Sequence, residues 1–472
     1  MLAWDDADTL SVTLTVRRNS AGRTATVKRR SAMAKKTKRR SAMAKQRVVA
    51  VKRKRPAPPA MELPRPVPNR SRDDWDINFP RKMTSDIKIK VGSDCSGWAS
   101  EVHALNMLGL KQNIDHRFAC DIAKSSKTII FNNCKPKAWY DDCMNRDNSK
   151  VASTDLYVAG FPCQPFSSAG KNHGIHDKRG TVFDGIFDYI IQHTPTIFVL
   201  ENVKNLTSSK HKSTFDAIMG LLKDIRDPAP SKRRTYWVNW RIYNSKDYGV
   251  PQNRERLYIV GMRMSHIVCH QKHIESKFKS MIEECITPTP NIHKFIVRTE
   301  NRMDRATIER QIKNDLRSSA MFSGTGRRNL TMAMKQIRSA NLDPSTSDIV
   351  VDLGQGRSKV HMMHNLCPTI TRTRAARDDF FLVSNASRIT GLDCMHLQGL
   401  NSFKVDLNGL KCSEIGQLAG NAMTIPVLAA ILRASLVLTG MAKDIDVEPV
   451  VDSHAPRVRP SVLTKRVKTD GL

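Results

Sequence analysis

A cysteine between two prolines is the residue of this chain most clearly placed to do chemistry. Cys163 lies in the run Gly-Phe-Pro-Cys-Gln-Pro-Phe-Ser-Ser at residues 160–168. Residues 155–159 before it are apolar and β-prone, which predicts a short buried strand. Cys163 then follows the carboxyl end of a strand, where open α/β sheets place their sites, and Pro162 and Pro165 stiffen the backbone. A buried structural cysteine is the alternative, but the rigid, polar-flanked loop favours a reactive thiol.

A strand, a glycine-containing turn and a helix begin the ordered part of the sequence. Residues 87–91 alternate like a strand, residues 92–100 hold the turn, and residues 101–108 are apolar at helical spacing. A second predicted strand at 116–120 ends at Asp121, an acid placed to hydrogen-bond ribose hydroxyls in a nucleotide-binding α/β unit. A strict Gly-x-Gly-x-x-Gly is absent, so ordinary α/β packing is the alternative.

Helix and strand patterns continue to alternate as far as residue 262. Helices are predicted at 183–192 and 213–225, and strands at 196–200, 237–243 and 257–262. Such alternation over about 175 residues predicts one doubly wound α/β sheet. Residues 263–387 lose the rhythm and hold a polar helix near 302–321 and several glycines, which indicates a smaller, loop-rich basic domain. We therefore divide the chain into a basic tail with a Pro-rich linker, a first α/β part, the loop-rich domain, a closing α/β part and a C-terminal tail, at residues 1–86, 87–262, 263–387, 388–442 and 443–472.

The charge balance indicates a polyanionic partner, most simply nucleic acid. The formal net charge is +32. Residues 17–55 hold 17 Lys or Arg and no acid, and Arg-Arg-Ser-Ala-Met-Ala-Lys occurs twice, at 29–35 and 39–45. This stretch cannot bury enough apolar area to offset chain entropy, which predicts a disordered tail. The run at 52–56 predicts nuclear import, with a non-specific nucleic-acid grip or a solvated arm as alternatives. A chromatin-packing protein without enzymatic activity would explain only this N-terminal segment.

The cysteines and the apolar segments exclude some classes of protein. Ten cysteines are scattered, with no Cys-x-x-Cys pair and no Cys/His cluster at metal-ligand spacing. We therefore expect reduced thiols, an intracellular protein and no metal. The best membrane candidate, residues 425–441, has Pro426 near its start and Arg433 in its middle, so we expect a buried helix and no membrane association.

Six stretches, in order between about residues 88 and 440, resemble the motifs of the cytosine carbon-5 DNA methyltransferases. They are Gly-Phe-Pro-Cys-Gln-Pro-Phe-Ser at 160–167, Arg-Gly-Thr-Val-Phe at 179–183, Glu-Asn-Val-Lys-Asn-Leu at 201–206, Pro-Gln-Asn-Arg-Glu-Arg at 251–256, residues 388–399, and Gly-Asn-Ala-Met at 420–423. The resemblance implies a Rossmann-like, S-adenosylmethionine-dependent methyltransferase domain that acts on double-stranded DNA. Residues 263–387 match the position of the family's target-recognition domain.

The resemblance also implies catalytic roles. Cys163 would add to carbon 6 of cytosine, so that carbon 5 becomes nucleophilic enough to take the methyl group. Glu201 would protonate or hydrogen-bond ring nitrogen 3, with a helix-capping acid as its structural alternative. Arg256 would lie near the flipped base, and Arg254 would be either a second catalytic arginine or a structural one.

Cofactor and DNA contacts follow from the same resemblance. The turn after the first strand would hold the methionine end of the cofactor, Asp121 the ribose and Asp142 the adenine amino group. The predicted cofactor-binding residues are Asp94, Cys95, Ser96, Gly97, Trp98, Asp121, Asp142, Asn421 and Met423. The predicted DNA contacts are Gln164, Ser167, Arg372 and Arg374. The glycine-hinged loop at 166–181 would close over an extruded nucleotide.

The first motif departs from the family pattern. Residues 93–100, Ser-Asp-Cys-Ser-Gly-Trp-Ala-Ser, hold one glycine where three are usual, and Cys95 takes the place of a Phe that lies against the adenine. A catalytically decayed DNA-binding homologue is therefore one alternative. A tRNA cytosine methyltransferase of the same fold is the other, although its Cys-Phe-Thr hallmark is absent. Without a recognisable reader or zinc module, we expect a monomeric, nuclear enzyme.

Overall fold

The computed structural model of the chain describes residues 75–162, 182–228, 230–297, 303–318, 321–356 and 360–445. Its strands are β1 Lys82–Thr84, β2 Ile89–Asp94, β3 Ile114–Cys120, β4 Ala138–Tyr140, β5 Leu156–Gly160, β6 Ile197–Val203, β7 Tyr236–Asn244, β8 Glu255–Arg263, β9 Ile349–Asp352, β10 Met362–His364, β11 Phe380–Leu382, β12 Ser387–Ile389 and β13 Lys443–Ile445. Its helices are α1 Ser100–Met107, α2 Lys124–Asn133, α3 Val182–His193, α4 Lys212–Lys223, α5 Ile274–Glu283, α6 Arg305–Arg317, α7 Gly324–Ser339, α8 Arg372–Ala375, α9 Gly391–His396, α10 Cys412–Asn421 and α11 Ile425–Leu438.

A seven-stranded sheet in the order β4-β3-β2-β5-β6-β8-β7 forms the centre of the fold. Its strands are parallel except β8, which runs antiparallel to both β6 and β7. Alternate side chains of β5 enter two different cores: Leu156 and Val158 pack with α1 and α11, whereas Tyr157 and Ala159 pack with α3 and α4. Helices therefore cover both faces of the sheet, which confirms the predicted doubly wound α/β fold.

The strand order reverses between β2 and β5, which lie side by side. β2 continues outward to β3, and β5 continues outward to β6 in the opposite direction. The carboxyl ends of this pair are Asp94 and Gly160. In open α/β sheets the ligand crevice lies outside the carboxyl ends of the strands at such a reversal. The predicted site residue Asp94 and the end of β5 at Gly160 thus lie at one edge of the sheet.

A second, four-stranded antiparallel sheet has the order β10-β9-β11-β12. It forms a wall between two cores. Val350 and Leu382 pack into the main core, while Val351 and Phe381 pack against α6 and α7 in a smaller cluster. Residues 303–386 supply that smaller cluster, whereas α5 and residues 292–297 belong to the main core. The boundary at 263 drawn from the sequence therefore differs from the packing, because Ile274, Phe278 and Ile282 form a helical stripe that α11 covers.

The ends of the described chain also differ from the predicted tails. β1 pairs antiparallel with β13, with Met83 opposite Asp444. Trp75 is buried, with its ring 4.6 Å from that of His396 and 5.4 Å from that of Phe403. The folded unit therefore includes residues 75–86 and 443–445. Three-residue strands that need each other as partners leave too short a pattern for recognition in the sequence.

The apolar segment predicted as a buried helix is α11. Nearly all its side chains are buried, and Arg433 in its middle binds Asp444 and Glu284. Among the described residues no single helix is long and apolar enough to cross a membrane, although α10 and α11 together pass that test as one bent pair. An α-helix that is apolar on every side is expected in the interior of a large domain.

The close packing of β6 against β8 can be tested at Gly261. An added Cβ would lie 2.1 Å from ring carbons of the fully buried Phe198. We expect Gly261→Ala to lower the free energy of unfolding by about 1–3 kcal/mol. The matched control is Gly220→Ala in α4, where nothing lies within 4 Å; it should raise stability by about 0.5–1 kcal/mol. Urea unfolding measures both, and an unchanged Gly261→Ala protein would contradict this packing.

Candidate active site

A cavity of about 560 Å³ lies at the carboxyl edge of the main sheet, at the reversal between β2 and β5. It collects most of the residues that the sequence singles out, from seven separate segments of the chain. The predicted site residues that line it are Asp94, Cys95, Ser96, Gly97, Asp121, Asp142, Glu201, Arg254, Arg256, Arg372, Asn421 and Met423. Trp98 is placed elsewhere: it is buried in the main core, where its ring Nε1 donates to Ser100 Oγ at 2.9 Å.

The turn after β2 is tied to the end of β3. The backbone N–H of Ser96 donates to the carbonyl of Cys120 at 3.0 Å, and the N–H of Cys120 donates back to Ser96 Oγ at 2.9 Å. The N–H of Gly97 donates to Asp121 Oδ2 at 2.9 Å. Gly97 has φ +58, a left-handed conformation that glycine adopts without strain. These bonds fix the floor of the cavity.

Asp94, at the end of β2, is held inside the protein. Its two oxygens accept from Arg146 Nη1 and Nη2, each at 2.6 Å, and one oxygen also accepts from the Tyr157 hydroxyl. Burial raises the pKa of Asp94, and the Arg146 guanidinium opposes that rise. The Arg146 guanidinium also lies 5.1 Å from the Phe118 ring centroid and 5.2 Å from that of Tyr140. Asp94 therefore anchors the turn through protein contacts, and its carboxylate is committed to Arg146 and Tyr157.

Asp121 and Asp142 hold the second side of the cavity. Asp121 follows β3 and accepts from the N–H groups of Gly97 and Ala123, at 2.9 and 2.8 Å. Burial raises the pKa of Asp121, and these backbone donors oppose the rise. A carboxylate has about four acceptor sites, so Asp121 keeps capacity for ligand hydroxyls. Asp142 is half-buried and accepts from the N–H of Met144 at 2.9 Å.

Glu201 and Arg256 form an ion pair on adjacent strands. Glu201 lies on β6, and its Oε1 is 3.1 Å from Arg256 Nε on β8, without the alignment of a hydrogen bond. Glu201 is 8% exposed, and burial raises its pKa while Arg256 and Arg254 lower it. Gly160 keeps the end of β5 close to this pair, since an added Cβ there would lie 3.2 Å from Met423 Cε and 3.6 Å from Glu201 Oε2. The result is a buried carboxyl that favours its protonated form.

Arg254 is bound to backbone carbonyls. Its Nη1 donates to Ile370 O at 2.6 Å, and its Nη2 donates to Ala422 O at 2.8 Å. Weaker contacts at 3.4 and 3.5 Å reach Gly420 O. Burial lowers the pKa of Arg254 to about 9. These bonds hold the closing Gly-Asn-Ala-Met segment beside the sheet, where Asn421 and Met423 line the cavity.

The two arginines predicted to contact DNA occupy different environments. Arg372 begins α8 and lines the cavity, where its Nε and Nη2 donate to Gln417 Oε1 at 3.3 and 3.0 Å. Arg374 lies 2.8 Å through Nε from the buried carboxylate of Asp352. α8 packs along α10, and both side chains contact protein groups there; the DNA contacts of Arg372 and Arg374 stay predictions.

Cys163, the predicted nucleophile, lies outside the described part of the chain. The predicted Gln164 and Ser167 and the loop at 166–181 fall in the same range, 163–181. The described chain reaches Phe161 and Pro162, which both line the cavity, and Cys163 is the next residue in the sequence.

The structure adds Glu101, a cavity residue that the sequence analysis did not select. Glu101 is 2% exposed, and its Oε1 accepts no hydrogen bond from the described residues. Burial raises its pKa to about 7, partly opposed by a hydrogen bond from Ser93. An acid on the otherwise apolar, core-facing stripe of a helix was the available sign. Arg146 and Gln417, by contrast, sit in polar stretches that carry no such pattern.

No group of three or more His, Cys, Asp or Glu side chains within the described ranges is arranged to hold a metal ion.

Comparison with known proteins gives a consistent family match. The family model described as C-5 cytosine-specific DNA methylase matches residues 94–436. The type II methyltransferase M.NgoBI of Neisseria gonorrhoeae is 28% identical over 293 residues, covering 62% of this chain and 77% of that protein. M.HaeII of Haemophilus aegyptius is 27% identical over 304 residues, covering 64% and 80%. Among solved structures, that of the S. pombe Dnmt2 methyltransferase has a TM-score of 0.46 at 13% identity and covers 74% of this chain and 99% of that one.

Buried Glu101 predicts a pH dependence of stability. Its folded pKa of about 7 lies above the ordinary value of 4.5, so the folded state loses stability as pH rises from about 4.5 to about 7. At 1.36 kcal/mol per pKa unit this amounts to about 3 kcal/mol. We expect Glu101→Gln to gain that much over the wild type between pH 5 and pH 8 in urea unfolding. Parallel pH curves for the two proteins would contradict a proton held on Glu101.

Proposed function

Because the chain belongs to the C-5 cytosine-specific DNA methylase family, we propose that it is a DNA (cytosine-5-)-methyltransferase. In this proposal it transfers a methyl group from S-adenosylmethionine to carbon 5 of a cytosine in double-stranded DNA, through a covalent adduct with Cys163. The observation that carries the proposal is that Glu201 and Arg256 share one cavity with Asp121 and the turn after β2. The buried carboxyl of Glu201, with its raised pKa, thus lines the same cavity as Asp121 and the turn after β2.

The cavity fits S-adenosylmethionine in size, position and donor set. Its volume of about 560 Å³ is in the range of small-molecule sites, and it lies at the reversal of the strand order. Asp121 would bind the ribose hydroxyls and Asp142 the adenine amino group, while residues 95–97 of the turn would lie along the methionine end. The unpartnered oxygen of Glu101 suits a cationic ligand. When bound, S-adenosylmethionine supplies the methyl group as an electrophilic sulfonium.

Cys163 supplies the nucleophile. Its thiolate adds to cytosine carbon 6, which converts the ring into an enamine whose carbon 5 can accept a methyl group. The thiolate has to be stabilised, and neighbouring arginines and backbone amides are the usual means. After methylation, the proton on carbon 5 leaves, and the electron pair that remains expels Cys163 and restores the aromatic ring. We assign the removal of that proton to water.

Glu201 makes the ring electrophilic. Burial raises its pKa, which favours the protonated carboxyl that proton transfer to ring nitrogen 3 requires as the thiolate adds. Arg256 lowers the pKa of Glu201 and so opposes the effect of burial. Its guanidinium stabilises the ionised carboxylate that forms when the proton is given up. Arg254 acts as a positioning residue, since its Nη1 and Nη2 groups donate to backbone carbonyls.

The depth of this arrangement requires the target base to leave the helix. A cytosine stacked inside a duplex cannot reach a cavity lined by the buried carboxyl of Glu201, so we propose that the nucleotide is flipped out before reaction. The basic chain, at +32, would hold the surrounding phosphates. Nuclear localisation and a monomeric state stay predictions of the sequence.

The direct test is transfer of labelled methyl groups from S-adenosylmethionine to DNA and to tRNA. We expect label in DNA with the wild type, none with Cys163→Ser, and a trapped covalent adduct on DNA that contains 5-fluorocytosine. Label in tRNA alone would replace DNA by tRNA as the substrate. A protein that binds DNA but neither binds the cofactor nor transfers label would be the decayed homologue.

The role of Glu201 predicts a second result. Glu201→Gln cannot supply a proton of the same acidity, so we expect kcat for DNA methylation to fall by about 10²–10⁴ with the cofactor Kd unchanged. Glu255→Gln is the matched control, because Glu255 adjoins Arg256 in sequence but pairs with exposed Lys204 at 2.8 Å. Equal loss in both variants would remove Glu201 from the chemistry.

A further inference from the structure

Two glycines of α10 allow the backbone at Arg372 to pack closely beside the cavity. Gly416 and Gly420 lie one helical turn apart and face the segment 371–375. A Cβ added at Gly416 would lie 2.3 Å from Ala375 O, and one added at Gly420 would lie 2.2 Å from Arg372 N. Only glycine at both positions lets the backbone of α8 approach α10 this closely. The close packing fixes where the Arg372 side chain starts, at the edge of the cavity.

The cavity-lining arginines among the described residues differ in what they already bind. Arg254 donates to backbone carbonyls, and Arg256 is paired with Glu201. Arg372 has the side-chain amide of Gln417 as its partner among the described residues, through Nε and Nη2. Its positive charge therefore faces no carboxylate at ion-pair distance within those residues, although it is near enough to Asp121 to lower the pKa of that carboxyl.

The orientation of the guanidinium leaves an edge for a ligand. Gln417 Oε1 occupies the side formed by Nε and Nη2. A guanidinium has five N–H donors in a planar fork, so the end formed by Nη1 and Nη2 keeps two parallel donors. Two parallel donors match the two oxygens of a carboxylate, and such bidentate pairs are stronger than single hydrogen bonds.

S-adenosylmethionine carries one anionic group, the α-carboxylate of its methionine part, and we propose that Arg372 binds it. The assignment rests on the proposed function, and it replaces the DNA contact expected from the sequence with a contact to the cofactor. Gln417 orients the guanidinium, and the close packing at Gly416 and Gly420 positions the backbone of Arg372. Arg372 is thus a specificity-determining residue that distinguishes S-adenosylmethionine from adenosyl compounds without a carboxylate.

Two cofactor ligands and two variants test this assignment. Binding of S-adenosylmethionine and of decarboxylated S-adenosylmethionine is measured by calorimetry with the full-length wild type, Arg372→Gln and Arg374→Gln. Loss of a charge-assisted pair predicts that Arg372→Gln weakens S-adenosylmethionine binding by about tenfold or more. The decarboxylated ligand should bind equally to the wild type and Arg372→Gln. Arg374→Gln should keep the wild-type preference, because Arg374 is committed to Asp352.

Each other outcome overturns the assignment in a recognisable way. An equal penalty for both ligands would place Arg372 away from the carboxylate. Weaker DNA binding by Arg372→Gln with unchanged cofactor affinity would restore the DNA contact. Arg372→Lys keeps the charge without the fork and should recover only part of the affinity, whereas full recovery would exclude bidentate binding. A wild type that binds neither ligand would overturn the proposed function itself, which distinguishes that failure from the others.

Discussion

The site depends on one buried guanidinium that joins segments far apart in the sequence. Arg254 begins near β8 and donates to Ile370, which precedes α8, and to Ala422, which follows α10. The last carbonyls of a helix have no partner within it and carry its negative dipole end, so a cation there satisfies both needs. This contact helps to fix the closing segment against the sheet, and with it the positions of Met423 and Arg372 relative to Glu201.

The same constraint explains why the arginines of one cavity can have different tasks. A buried charge is tolerated only when it is paired and hydrogen-bonded, so what each guanidinium already binds decides what it can still do. Arg254 donates through Nη1 and Nη2 to carbonyls and positions the backbone. Arg256 tunes the acidity of Glu201 through an ion pair. Arg372 has a neutral amide as its partner among the described residues and keeps its charge available.

Much of the fold could be predicted because each strand of the main sheet is a local apolar run. β5 and β6 matched the buried strands predicted at 155–159 and 196–200, and Asp121 and Glu201 followed from strand ends or motif positions. Contacts between distant segments could not be predicted. Arg146 pairs with Asp94 across 52 positions, and β1 pairs with β13 across the whole described chain. A single sequence records the residue types of such pairs but not their proximity. Trp98 was assigned to the cofactor because its neighbours belong there, whereas its large apolar ring packs into the core instead.

The unusual first motif can be understood in the same terms. Although the motif holds one glycine, its backbone is also left-handed at two other residues, with φ +51 at Cys95 and φ +63 at Ala99. A non-glycine residue in that region costs about 1–3 kcal/mol and persists only where the surroundings impose it. Here the bonds from Ser96 to Cys120 and from Gly97 to Asp121 impose it, and the buried Asp94–Arg146 pair anchors the strand end below. The turn therefore keeps its left-handed backbone at non-glycine residues because the surrounding hydrogen bonds hold it in place.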